Sequence, residues 1–124
     1  MTKTMKIPGP DHPITIAPMT GRLKITVAGH VVADTRRALT LKEASYPPLQ
    51  YVPREDADMS LLTLTDHATY CPYKGDCSYY SIAPGGERSM NAVWTYEDAY
   101  PAVATIKGYL AFYADRVDMI ELLP

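Results

Sequence analysis

The segment His67-Ala-Thr-Tyr-Cys71-Pro-Tyr73-Lys74-Gly75 gathers residue types that do chemistry. Pro72 and Gly75 mark a fixed turn, so Cys71, Tyr73 and Lys74 are expected together on a loop between strands. A thiol beside an ammonium group can lose its proton more easily and act as a nucleophile, with His67 as its base. The same residues have a plainer reading. Cys71 is then a small buried hydrophobe, Lys74 a solvated charge and His67 a loop residue. Cys71 and Lys74 are the catalytic pair to test.

Other polar groups stand further off in sequence. Tyr46, Arg54, Asp56 and Asp58 form a second polar group, in which Arg54 and Asp56 flank a proline-initiated turn and are expected to pair or cap. Asp115-Arg116-Val117-Asp118 is a charged corner before the last strand. Trp94 alternates with Met90, Ala92 and Tyr96, a stripe that packs a core or floors a hollow beneath the Cys71 loop. Cys71 and Cys77 are six apart, which is no zinc-knuckle spacing, and His12, His30 and His67 are unpaired. No metal and no cofactor is expected. Pro84-Gly-Gly-Glu87 lacks the Lys-Ser/Thr of a phosphate loop, and no Gly-x-Ser-x-Gly elbow occurs.

These residues need elements to hold them. Arg22-Leu-Lys-Ile-Thr-Val-Ala28 alternates with a period of two, the mark of a half-buried strand. Gly29-His30 then predicts a tight turn and Val31-Val-Ala33 the returning arm. Further strands are expected at Ile14–Ile16, Ala38–Leu41, Leu49–Val52, Leu61–Thr65, Ser78–Ala83, Met90–Tyr96 and Val117–Leu123. Only the stretch from Pro101 to about 109 favours an α-helix, with Val103, Ile106, Tyr109 and Leu110 at three- and four-residue spacing; Gly108 weakens its end. The pattern predicts a mostly β fold, a rolled antiparallel sheet or small barrel with one late α-helix. Residues 1–13, rich in Pro and Gly, read as an N-terminal arm, and 14–124 as a single globular domain.

Bulk properties bound the function classes. The 124 residues are 47% hydrophobic and 21% charged, enough for one core without staples. Net charge is −2, and the 12 basic residues are scattered, which argues against nucleic acid. No apolar run approaches a membrane span, and Pro8-Gly-Pro-Asp-His-Pro13 stands where a signal peptide needs its apolar segment. Two cysteines make no disulfide scaffold, so the expected setting is soluble and cytoplasmic. Ten tyrosines stand against one Phe and one Trp, a balance suited to half-buried pocket walls.

The chain resembles a known family through an ordered series of short motifs. These are Gly21-Arg22, Val32-Ala-Asp-Thr-Arg-Arg-Ala38, Tyr46-Pro-Pro48, Pro53-Arg-Glu-Asp56, Cys71-Pro-Tyr-Lys-Gly75, Tyr79-Tyr80, Ala92-Val-Trp-Thr-Tyr96 and Ala111-Phe-Tyr-Ala-Asp-Arg-Val-Asp118. Together they are similar to domain-of-unknown-function family 427, over about Asp11 to Glu121. The resemblance implies a small cytoplasmic protein with a mostly β fold. It places signature residues at Tyr46, Arg54, Asp56, Cys71, Tyr73, Lys74, Trp94, Tyr113 and Asp115. A nucleotidyltransferase-like label also attaches to the family, but the Gly-Ser motif and spaced carboxylates of a two-metal site are missing here. Asp76 departs from the small neutral residue expected after the signature.

Three functional readings follow. The first is a binding domain for a small anionic or aromatic ligand, held in a tyrosine-rich cleft around Cys71–Gly75. Its contacts would be Tyr46, Arg54, Asp56, Tyr73, Tyr80, Trp94, Tyr113 and Asp115, with Arg54 and Lys74 as anion anchors. The second is an enzyme using Cys71 or Lys74 as nucleophile or acid/base. The third is an interaction domain, its edge strands pairing in a homodimer. The first two require Tyr46, Arg54, Cys71, Lys74 and Trp94 to converge on one concavity.

Overall fold

A computed structural model describes residues 3–124. Its ten strands are β1 (Ile14–Pro18), β2 (Arg22–Val27), β3 (His30–Thr35), β4 (Leu39–Glu43), β5 (Leu49–Tyr51), β6 (Leu62–Cys71), β7 (Gly75–Ile82), β8 (Val93–Thr95), β9 (Leu110–Phe112) and β10 (Met119–Leu123). All pairings between them are antiparallel, in the orders β1-β4-β5, β10-β2-β3 and β6-β7-β8-β9. The fold is mostly β and rolled, and no closed barrel forms among the described residues.

The alternation in β2 does what its period dictates. Leu23, Ile25 and Val27 are each 1% exposed, while Arg22 reaches Asp34 on β3 through two bonds of 2.7 and 2.5 Å. Burying each aliphatic side chain contributes ~1.5–3 kcal/mol. The turn into β3 is set by Ala28 and Gly29, both at positive φ (49° and 79°), the arrangement that matches strand twist in a two-residue hairpin. Asp118 accepts the Ala28 amide at 2.6 Å and ties that turn to the approach of β10.

Two cores result. One holds Leu23, Ile25, Val27, Val52, Ile82, Val93, Leu110 and Phe112 between β10-β2-β3 and the four-stranded sheet. The other, aromatic, holds Leu41, Tyr51, Cys77, Tyr79, Trp94, Tyr96, Val103 and Ile106 on the opposite side. A single bridge, Val52 with Leu110, joins the β5 end of one sheet to β9 of another. Through it, the order β1-β4-β5-β9-β8-β7-β6 becomes one curled surface.

Several expectations shift. The late helix is 3₁₀, not α: it spans Pro101–Ile106 and is interrupted at Val103 (φ −125°, ψ 25°). Val103 and Ile106 are its buried residues, three apart, and a three-residue turn stacks that spacing on one side. Leu110–Phe112 is extended, as Gly108 suggested. β6 continues to Cys71, through residues read as loop, because β7 pairs with it again after a register shift between Leu64 and Ala68. β8 is shorter than its stripe implied. Residues 3–13 lie across the β6–β7 hairpin, held by Lys6 N–H to Pro72 O (2.8 Å) and Tyr70 Oη to Thr4 O (2.6 Å). Met1 and Thr2 of the expected arm lie outside the described residues.

Gly21 gives a test of how β2 and β10 close. Its φ is +96°, and a Cβ there would stand 2.4 Å from Leu123 O. Gly29 also has positive φ, but open space around it. Gly21→Ala is expected to cost about 2 kcal/mol or more and lower Tm by several degrees, and Gly29→Ala to cost about half as much. Urea unfolding measures both; equal losses would contradict the close approach.

Candidate functional site

Lys74 is placed by its turn. Gly75 takes φ +112°, the Lys74 amide donates to Cys71 O at 3.2 Å, and Tyr100 N–H donates to Lys74 O at 3.0 Å. The side chain is thereby directed inward and is 6% exposed, not solvated. Its ammonium donates to Glu43 at the end of β4. Glu43 also accepts from His12 Nε2 at 2.7 Å, and Tyr73 stacks on the His12 ring at 4.0 Å and 5°. Burial pushes the Glu43 carboxyl up, but hydrogen bonds from Lys74 and His12 outweigh it and hold the group below the usual carboxylate range.

Cys71, half-buried, ends β6 and packs against the aromatic core beside this group. Cys77 is buried, and burial raises its thiol pKa. Burial likewise pushes the Tyr51, Tyr79 and Tyr96 hydroxyls well up. Trp94 donates its indole N–H to Tyr51 Oη at 3.2 Å and lies 4.6 Å from the Tyr113 ring. Arg116 covers the Tyr113 ring at 4.6 Å.

Arg54 stands elsewhere. It donates to Gly108 O (3.1 Å), Tyr80 Oη (3.1 Å), Thr95 Oγ1 (3.4 Å) and Glu97 (2.7 Å). Thr95 and Trp94 are consecutive in β8, so their side chains leave on opposite faces. Arg54 and Tyr80 therefore lie across the sheet from Trp94. Asp56 does not pair with Arg54; it accepts from Thr35 Oγ1 (2.7 Å) and Arg37 (3.2 and 3.0 Å). Tyr46 is 64% exposed, and Asp115 is exposed on a 3₁₀ turn, Ala114–Arg116.

The residues read from the sequence thus form three groups rather than one hollow. Cys71, Tyr73, Lys74, Trp94 and Tyr113 share the aromatic side, Arg54, Tyr80 and Asp56 lie on the other, and Tyr46 and Asp115 are exposed. Distant Arg54 and Lys74 each face a carboxylate.

A cleft of about 550 Å³ lies between the β5–β9 seam and the β10-β2 face. Leu49 and Gln50 line it from β5, Phe112 from β9, Tyr113 just after β9, and Trp94 reaches it from β8. Leu23, Ile25, Ile120 and Leu122 form the facing wall. Register explains this wall: Leu23 pairs with Leu122 and Ile25 with Ile120, so both β10 residues point the way of the core. Yet Ile120 is 37% exposed and Leu122 66%. They are core-facing residues with nothing over them.

Sequence reading missed His12, Glu43, Gln50, Ile120 and Leu122 as site residues. Glu43 carried a signal, because it continues the phase of Leu39 and Leu41 and so points inward. The others depend on pairing between distant strands.

Losing one partner of a buried ion pair leaves an uncompensated charge, so Lys74→Ala is expected to cost about 3–5 kcal/mol. The sign with pH follows from Glu43. Its folded pKa lies below its unfolded value of ~4.3, so its contribution is full above that value and is lost as pH falls through the folded pKa. Urea midpoints from pH 7 downward should fall more steeply in the wild type than in Glu43→Gln; parallel curves would contradict the arrangement.

No helix among the described residues is long and apolar enough to cross a membrane. No curated protein matches the chain. The family model described as Domain of unknown function (DUF427) matches residues 15–122, which contain all ten strands but the first residue of β1 and the last of β10, together with Lys74, Glu43 and the cleft-lining residues. The chain is a member of that family.

Proposed function

We propose that this chain binds a small uncharged molecule of apolar or aromatic character in the cleft between β5, β9 and β10. The carrying observation is the uncovered core face: Ile120 and Leu122 point inward by register and stay exposed opposite Trp94, Phe112 and Tyr113. A volume of about 550 Å³ with aromatic and aliphatic walls suits a compact ligand. No Asp, Glu, Lys, Arg or His among the described residues lines it. The anionic alternative has less support, because Lys74 and Arg54 are already engaged by Glu43 and Glu97. Of the contacts expected from sequence, Trp94 and Tyr113 take the ligand-facing role.

Trp94 is the only tryptophan of the chain, so its emission reports on the cleft directly. Titration with a panel of small aromatic compounds is expected to change that emission and raise Tm together. Leu122→Lys, at a position already 66% exposed, should keep the parent stability within about 0.5 kcal/mol and weaken binding tenfold or more. A panel without any response, or one unaffected by Leu122→Lys, would refute the reading.

A second reading, catalysis by Cys71 or Lys74, draws on one observation: Lys74 is held in a relay with Glu43 and His12 beside Cys71. Iodoacetamide labelling of Cys71 against pH separates the two. A midpoint well under the free-thiol value of ~8.5 would favour catalysis; a midpoint at or above it removes the nucleophile.

A further inference from the structure

Strand phase decides which side chains β5 and β9 turn toward the β10-β2 wall. Side chains two apart on a strand share a face. Val52, 0% exposed, packs in the core of Leu23 and Ile25, and Gln50, two residues before it, leaves the strand on the same side. Phe112 shares its side with Leu110 for the same reason, and both belong to that core. Leu49 and Tyr113 fall in the opposite phase and pack against the aromatic core. A side-chain amide therefore stands at an inward position, on the wall of an apolar cleft.

One end of that amide is held. Thr40, the cross-strand partner of Gln50 on β4, donates its hydroxyl to Gln50 Oε1 at 2.6 Å. Thr40 is β-branched, which restricts its χ1 and steadies the hydroxyl. With Oε1 turned to Thr40, the Nε2 end is turned away from it and makes no side-chain hydrogen bond among the described residues. No wholly buried side-chain nitrogen or oxygen among them lacks a partner, so this Nε2 is within reach of solvent. Of the other polar side chains on the lining, Trp94 spends its N–H on Tyr51 Oη, and Tyr113 leaves on the opposite face. Gln50 alone offers free N–H groups on the inward wall.

We propose that the Gln50 side-chain amide is the hydrogen-bond donor of the cleft, and that the ligand is an uncharged aromatic compound bearing a carbonyl oxygen, such as an aryl ketone. This rests on the cleft reading above and adds the polar contact that orients the ligand. The ring lies against Phe112 and Leu122, and its carbonyl accepts from Nε2. Few polar groups among apolar walls is the usual composition of such sites. A bare hydrocarbon would displace water from Nε2 and leave the donor unmatched, which loses affinity. A carboxylate would bring a charge that meets no counter-ion on the lining. The Thr40 bond holds the amide in place beforehand, so the ligand does not have to order it.

The test compares 2-acetylnaphthalene with 2-isopropenylnaphthalene, in which CH₂ replaces the carbonyl oxygen at nearly the same shape, and adds 2-naphthol and 2-naphthoate. The full chain is used, and ¹H–¹⁵N spectra give affinities while following the Gln50 side-chain NH₂ directly. The ketone is expected to bind about tenfold or more tightly than the alkene, the worth of one hydrogen bond left unmade on binding, and to shift the Gln50 NH₂ signals. In Gln50→Leu that preference should fall to near unity; because it is a ratio of two ligands on one protein, a change in stability does not produce it. Equal affinity for ketone and alkene in the wild type, or a preference that survives in Gln50→Leu, overturns the proposal while leaving the cleft as a binding site. Tightest binding by 2-naphthol overturns it by showing that Oε1, not Nε2, faces the ligand. Tightest binding by 2-naphthoate overturns it through charge. Silence from all four probes overturns it too, and a response to other aromatics then keeps the cleft reading, whereas silence from those as well removes both.

Discussion

Val52 and Leu110 exchange two backbone hydrogen bonds at a point where both residues are wholly buried, and that exchange determines the shape of the rest. It converts a three-stranded and a four-stranded sheet into one curled surface. It also sets the phase of every backbone group on β5 and β9. The apolar wall built by β2 and β10 faces that seam across the cleft.

The Lys74–Glu43 pair imposes a different constraint. Withdrawing an ammonium and a carboxylate from water is unfavourable, and their attraction compensates only when the remaining hydrogen-bonding capacity is filled. Glu43 fills it with His12, whose ring lies flat on Tyr73. Segments 3–13, β4 and the β6–β7 turn are thereby held in one mutual geometry. The Cys-Pro-Tyr-Lys-Gly motif then has a structural explanation that its composition suggested only in part: proline and glycine shape the turn, tyrosine supports the imidazole, and lysine meets a carboxylate far away in sequence.

What the sequence disclosed was local. The period of two in Arg22–Val27 and the breaks at prolines and glycines each act within a few residues, and each was readable. Distance along the chain is where reading failed. Trp94 and Arg54 were expected to share a hollow, yet adjacency of Trp94 and Thr95 in one strand sends them to opposite faces. The ion pair of Lys74 was invisible because its partner, Glu43, belongs to another sheet. The cleft was invisible because Ile120 and Leu122 resemble any strand residues until pairing with β2 shows which way they face. The 3₁₀ turn at Pro101–Ile106 misled for a related reason, since three-residue spacing of apolar positions serves both kinds of helix.

The placement of β10 beside β2 has a consequence for how the chain is made. β2 and β10 are neighbours in the sheet, yet nearly the whole domain stands between them in the chain and must emerge between them. Until then Leu23 and Ile25 belong to a two-stranded ribbon with one long apolar side and a bare edge. Closing so large a loop is entropically slow, and unpaired edges attract other chains in the interval. The growing polypeptide therefore passes through a period of vulnerability to aggregation that ends only when β10 docks.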